Sequence, residues 1–305
     1  MAKTRALKRR IRSVESTRKI TRTMELVSTS KLKRAQERVA AARPYAEALG
    51  AAIADLLTPE LTERFPLLRR PAPPARGGPD RAAVLLVTSN RGLAGAFNAN
   101  LIRLARRTLD ALETAGYHTD LYAVGKKGVR YFQFVGRTVA LARIDVGDRP
   151  TAAHAMELAE PLMAAYAAGA LASLDVVYAN FKSPLSTPPA VLRVLPVEPG
   201  GQVARQPEGH AGRAQAAVRP NFILKPGADE ILSALLPLYV KNQVYRALVE
   251  TAASEHGARR TAMKNATDAA GEMLDVLRRT YNRARQAQIT QELAEIVGGA
   301  EALQG

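Results

Sequence analysis

Both ends of the chain are long runs that almost lack the residues that stop helices. Residues 2–57 contain no glycine before Gly50 and a single proline, Pro44. From Pro226 to Val297 no proline follows Pro237, and Gly257 and Gly271 are the only interior glycines. Each run reads as one long helix, the second a rod of roughly 100 Å at 1.5 Å per residue. A helix that long needs a partner along much of its length, and the two runs are each other's obvious partner. In the first, Leu7, Val14, Thr21, Ser28, Ala35, Ala42, Leu49 and Leu56 recur every seven residues. Ile11, Arg18, Glu25, Leu32, Val39, Ala46 and Ile53 fall four later in each heptad. That spacing is a helix–helix seam. In its polar middle, Ile20, Met24 and Val27 carry an apolar stripe about one position earlier, which predicts a local slip in winding. Pro44 predicts a bend or break, and Thr58-Pro59 a stop.

Between these runs the period changes. Residues 69–80, RRPAPPARGGPD, form a Pro/Gly linker. Short apolar runs follow: Ala82–Thr88, Asp120–Val124, Thr138–Ile144 and Val176–Phe181. Helical patterns such as Asn98–Ala115 and Thr151–Ala168 lie between them. This alternation predicts a mostly parallel sheet with helices on its faces. Ala190–Val197 follows the fourth strand too closely for a crossover helix, so it is expected as an antiparallel edge partner. Residues 199–220 are expected to close this part as a loose, partly mobile segment. The expected class is α/β: a long antiparallel coiled coil of N- and C-terminal helices plus a central Rossmann-like α/β domain. Its divisions are 1–57, 81–198 and 221–305. If both helices meet the central part near residues 57 and 226, paired positions total roughly 283 at equal rise. Leu7 would then meet the neighbourhood of Val276, Val14 that of Ala269, and Ala35 that of Leu248. Ile289, Leu293, Ile296 and Val297 would project beyond the first helix as a single helix.

Several chemistries find no support. The chain has no cysteine, so it has no disulfide, thiolate metal site or catalytic thiol. His118, His154, His210 and His256 are scattered without ligand spacing. The loop Thr88–Asn98 holds Gly92 and Gly95 but is neither a dinucleotide fingerprint nor a lysine-bearing phosphate loop. It reads as a tight strand–helix turn, and Gly125-Lys-Lys-Gly128 as punctuation at a helix start. No nucleophile–base constellation is visible. No cofactor is expected.

The net charge of +16 calls for an acidic partner. Residues 1–57 carry 14 Lys and Arg against five Asp and Glu, densest at Lys8-Arg9-Arg10-Ile11-Arg12. Nucleic acid is disfavoured, because no aromatic is interleaved to stack on bases and basic residues run through the seam at Arg18. No apolar run follows the N-terminal cations, so no signal peptide is expected. The most apolar stretch, Pro161 to Leu174, falls short of the ~20 residues that cross a bilayer, so membrane contact is expected only through partners.

The end of the chain is the most specific feature. Ile289-Thr-Gln-Glu-Leu-Ala-Glu-Ile-Val-Gly-Gly-Ala-Glu-Ala302 resembles the C-terminal signature of the F-type ATP synthase gamma family. Ala253-Ser-Glu-His-Gly-Ala-Arg259, Ala262-Met-Lys-Asn-Ala-Thr-Asp268 and Tyr281-Asn-Arg-Ala-Arg-Gln286 are similar to it as well. So are Arg18–Val27 and Ser30–Gln36 in the first helix and Ser89–Asn98 in the central loop. The matches keep the family's order and cover both ends and the middle.

The resemblance implies a central rotor shaft, not itself a catalyst, that couples ion flow through a membrane ring to ATP synthesis or hydrolysis. Its partners would be the alpha and beta subunits of a catalytic hexamer, the epsilon subunit and the c-subunit ring. It would lie peripheral to the cytoplasmic face of a bacterial inner membrane. Met24, Arg259, Gln286, Thr290 and Glu292 fall on family positions that contact beta subunits or hold the shaft in register. Lys225 falls at the foot, toward the c ring or epsilon. The basic first helix would face an acidic segment of the beta subunits. Departures include Asn90 for a usual Asp, Ala94 for Cys or Gly, Ala96 for Gly, Ser28-Thr29 for a small apolar pair, and Ala269 for Asn. Arg260 replaces Met, and Lys225-Pro226 reverses a charge.

Overall fold

The computed structural model describes residues 2–57, 59–72, 77, 80–198 and 227–304. Lys225 and the segment 199–220 lie outside the described residues. The long terminal runs are single helices, α1 (Ala2–Leu56) and α6 (Ala228–Gln304). Asp229 and Glu230 favour the start of α6 by facing its positive end. Pro44 lies inside α1 and does not break it. Pro44 is exposed, while Val39, Ala46, Leu49 and Ile53 on either side are buried. Burying a Val, Leu or Ile contributes about 1.5–3 kcal/mol each, which together exceeds the roughly 3 kcal/mol cost of an interior proline. The expected stop at Thr58-Pro59 opens a second helix, α2 (Pro59–Arg64), because proline suits the first helical position.

Packing divides the chain into two compact units, one of Met1–Ser30 with Arg259–Gly305 and one of Lys31–Ala258. In the first, α1 and α6 meet along the sevenfold seam without the expected slip. Thr21, Glu25 and Ser28 are buried, whereas Ile20 and Val27 are 59% and 50% exposed and Met24 is half-buried. The seam keeps its spacing because Thr21 and Glu25 find hydrogen-bond partners there. The Thr267 hydroxyl donates to Thr21 Oγ1 at 2.8 Å, Thr21 Oγ1 bonds the Arg18 carbonyl, and Arg22 donates to Glu25 at 2.9 Å. Arg18 is exposed at its seam position, with its guanidinium over Gly271, as long cationic side chains allow.

The register differs from expectation. Thr21 meets Thr267, Glu15 meets Arg278 and Thr4 meets Gln288, five to ten residues farther along α6 than a total of 283 requires. In the second unit a Cβ on Gly50 would lie 3.6 Å from Tyr239, the same displacement. Its cause is that the apolar surface continues past α1: Leu61, Phe65 and Leu67 pack on the cluster holding Leu232 and Leu236. The start of α6 therefore pairs beyond the end of α1. Ala35 is buried, as the seam requires.

The second unit holds a five-stranded sheet of order β3-β2-β1-β4-β5. Its strands are β1 (Arg81–Val87), β2 (His118–Val124), β3 (Leu141–Arg143), β4 (Ser173–Ala179) and β5 (Pro189–Leu195). The first four are parallel neighbours, and β5 is antiparallel to β4 as expected. Strand period two sends alternate residues to opposite faces. Ala82, Val84 and Leu86 join Leu101, Ala105 and Leu109 of α3 (Phe97–Thr114) and Phe132 of α4 (Lys126–Phe134). Ala83, Leu85 and Val87 join Leu158 and Leu162 of α5 (Ala152–Ala167), with Ile53 and Val240 from the long helices. Both faces of β1 are thus covered, which is why its six residues after Arg81 read as one apolar run. The third strand is shorter than the expected Thr138–Ile144, being an edge strand paired only to β2.

Candidate functional site

The central loop is the first place to look for a ligand, because it leaves the carboxyl end of β1 beside the neighbouring β4. Its polar groups are turned on one another. The Ser89 amide donates to Asn98 Oδ1 at 3.0 Å, and Ser89 Oγ donates to the Arg91 carbonyl at 2.6 Å. At the start of α4 the Lys126 amide donates to Asn90 Oδ1 at 2.9 Å, that of Lys127 to the Ser89 carbonyl at 3.2 Å, and that of Gly128 to Thr88 Oγ1 at 3.0 Å. Three amides that would cradle a phosphate are already satisfied by the loop. Gly125 has φ +94°, and a Cβ there would lie 2.1 Å from the Thr88 carbonyl oxygen. Only glycine permits that approach. The glycines serve the packing of α4 on β1. Asn90 also donates from Nδ2 to the Ile144 carbonyl at 2.9 Å, a bond an aspartate could not make.

The histidines take separate places. His154 caps α5: its amide donates to Thr151 Oγ1, and its Nδ1 accepts from the Thr151 amide. His256 is buried, and His118 lies 3.9 Å from Asp80. His210 lies outside the described residues. Among the described residues no cluster of three or more His, Asp or Glu could hold a metal ion.

The residues picked out by family resemblance lie in the first unit. Gln286, Thr290 and Glu292 are exposed on α6. Thr290 Oγ1 donates to the Gln286 carbonyl at 3.1 Å, and Gln288 donates to Glu292 at 2.7 Å. These local bonds leave the three side chains on one exposed stretch. Arg259 is 6% exposed and Met24 half-buried. Beyond Gln288, Ile289, Leu293, Ile296 and Val297 are 44%, 58%, 68% and 58% exposed. On the neighbouring stretch of α1, Arg9, Arg10 and Arg12 are exposed. No helix among the described residues is long and apolar enough to cross a membrane.

Two polar constellations escaped sequence reading. In one, Lys31 of α1 pairs with Asp148, and Arg38 donates to the Asp148 carbonyl at 3.4 Å. Burial raises the Asp148 pKa, but the Lys31 hydrogen bond and the charges of His256, Lys31 and Arg91 hold it below the usual range. Nearby, Arg143 forks onto Asp145 and reaches Glu157, lowering Asp145 to about 2. The other joins β4 to α6. The links that tie Asp148 to α1 and the end of β4 to α6 join residues far apart in the chain, with no local spacing to mark them.

A family model described as ATP synthase matches residues 3–303. The ATP synthase gamma chain of Gemmatimonas aurantiaca is 57% identical over 305 residues, covering 100% of both chains. That of Streptomyces coelicolor is 42% identical over 306 residues, covering 99% of this chain and 96% of the other. The chain belongs to the F-type ATP synthase gamma family. Its fold is similar to a chain in the mitochondrial ATP synthase of Euglena gracilis, an OSCP/F1/c-ring assembly. There the TM-score is 0.67 and the identity 18%, covering 99% of this chain and 95% of that one. A chain in the central stalk/c-ring of the Tetrahymena thermophila mitochondrial ATP synthase gives a TM-score of 0.57 at 22% identity, covering 81% and 99%. At these identities the fold is what is shared. The mixed α/β architecture with long terminal helices is the architecture of this family, and the chain is a component of an ATP synthase.

Proposed function

We propose that the chain is the central rotor shaft of its ATP synthase and couples ion flow through a membrane ring to catalysis in an alpha–beta hexamer. The observation that carries this is the apolar end of α6. A helix exposing Ile289, Leu293, Ile296 and Val297 needs an apolar sleeve, and the cavity of the hexamer fits that need. Gln286, Thr290 and Glu292 lie on the same stretch and are assigned to contact with the beta subunits. Arg259, buried, and Met24, half-buried, are assigned to holding α1 and α6 in register. The cationic face of α1 suits an acidic segment on the beta subunits. Lys225 is assigned to the foot, against the c ring or epsilon.

On this reading the chain performs no chemistry. The amides at the start of α4 are occupied by the loop after β1, which supports mechanical work. The division into 1–57, 81–198 and 221–305 then separates shaft, α/β body and shaft. The chain is placed at the cytoplasmic face of a bacterial inner membrane, held there by partners and binding no nucleic acid.

The test is co-purification. A tagged chain expressed with its alpha and beta subunits should emerge in one complex with both, and truncation before Ile289 should weaken that complex. Recovery of the chain free of both subunits, with nucleic acid bound instead, would overturn the reading.

A further inference from the structure

β1 pairs with β4 only as far as Val177. Beyond that residue, α6 takes the place of a strand by means of its side chains. The Ala179 amide donates to Thr251 Oγ1 at 3.2 Å, and the Ala179 carbonyl accepts from Ser254 Oγ at 3.3 Å. Two residues later, on the same side by strand period, the Phe181 amide donates to Glu250 Oε2 at 3.2 Å. The Phe181 carbonyl accepts from Arg43 Nη2 of α1 at 2.6 Å. Glu250 is 1% exposed, its Oε1 accepts from Arg246 Nε at 2.9 Å, and Arg43 Nη2 lies 3.7 Å away. The Phe181 side chain is buried among Leu32, Ala35 and Val39 of α1 and Val249 and Ala253 of α6. Farther along α6, a Cβ on Gly257 would lie 3.0 Å from the Pro184 carbonyl oxygen, so the loop after β4 runs close against the helix.

Stability alone does not explain a buried carboxylate here. Well-packed apolar residues often hold helices together as well as a buried ion pair, without its desolvation cost. They could not bond the Phe181 amide, which would then be buried and unsatisfied. What Glu250 supplies is position, since it joins the end of β4, α1 and α6 at one point.

We propose that Glu250 is a positioning residue for rotary coupling, pinning the end of β4 to α1 and α6 so that the α/β sheet cannot slip on the helices that carry torque. The inference rests on the rotor reading above. It is tested with the wild-type chain and the Glu250→Gln and Thr251→Val variants. Amide hydrogen exchange is measured on the purified chain. ATP hydrolysis and ATP-driven ion pumping are measured on inverted vesicles carrying the assembled complex. Glu250→Gln should speed exchange of the Phe181 amide by about tenfold or more, because a single neutral oxygen replaces the two carboxylate oxygens shared between that amide and Arg246. It should lower ions pumped per ATP to about half or less while hydrolysis persists. Thr251→Val, which removes only the acceptor for Ala179, should speed the Ala179 amide and lower the ratio in the same direction. It carries the test by itself if Glu250→Gln prevents assembly. Unchanged exchange at both amides would overturn the junction. Faster exchange with an unchanged pumping ratio would show it to be structural only and overturn its role in coupling. Failure of the rotor reading shows separately, as pumping by a complex from which the chain is omitted.

Discussion

Asp148 shows how a single side chain ties stability to pH. Its carboxylate is drawn below the ordinary range by Lys31, His256 and Arg91 despite burial. A depressed folded-state pKa adds stability that is fully present above the unfolded value of about 3.9 and is lost as pH falls through the folded value. Urea unfolding of the purified chain should therefore show its midpoint falling below about pH 4, with a shallower fall in Asp148→Asn. Equal slopes would remove Asp148 from that role. Ala35 makes a steric point. It is 3% exposed and shares its cluster with Leu32, Val39, Phe181, Val249 and Ala253. Ala35→Leu should overpack this site and cost about 1–3 kcal/mol in denaturant unfolding, whereas an unchanged midpoint would mean that the cluster has room. The seam position of Ala35 was legible from heptad spacing. The partners of Asp148 were not, because Lys31 and Asp148 are 117 residues apart in the chain.

Among the elements, periodicity carried most of the fold. The sevenfold spacing located the buried face of α1 even where Thr21, Glu25 and Ser28 occupy it. The apolar residues Ile20 and Val27 pointed to a slip that does not occur, because satisfied polar groups at the seam cost less than changing the helix winding. The strands and the antiparallel β5 were readable from short apolar runs and from a connection too short for a crossover. The register of α1 against α6 was not. It depends on where α6 begins to pack, and Leu61, Phe65 and Leu67 shift that point beyond α1. Since the chain has no cysteine, introduced pairs report cleanly. Cysteines at Thr21 and Thr267, whose hydroxyls lie 2.8 Å apart, should cross-link about tenfold or more faster than cysteines at Thr21 and Ala262. The latter is displaced by about 7.5 Å along the helix. The opposite order would restore the register based on a total of 283.

For the whole molecule, the family was legible because its signatures lie at both ends and in the middle of the chain. The proposed beta-subunit contacts rest on resemblance alone, since Gln286 and Glu292 are exposed and have the look of any solvated helix face. The observations that support a mechanical role are physical: amides at the start of α4 already bonded by the loop after β1, an exposed apolar helix end, and a cationic α1. Rotation itself decides the matter. With an alpha–beta hexamer fixed to a surface and a probe attached to a cysteine introduced on the exposed α/β body, addition of ATP should turn the probe steadily in one direction. The motion should stop when ATP is exhausted. Sustained ATP hydrolysis by the same complexes with the probe stationary, or moving only at random, would contradict the rotor reading.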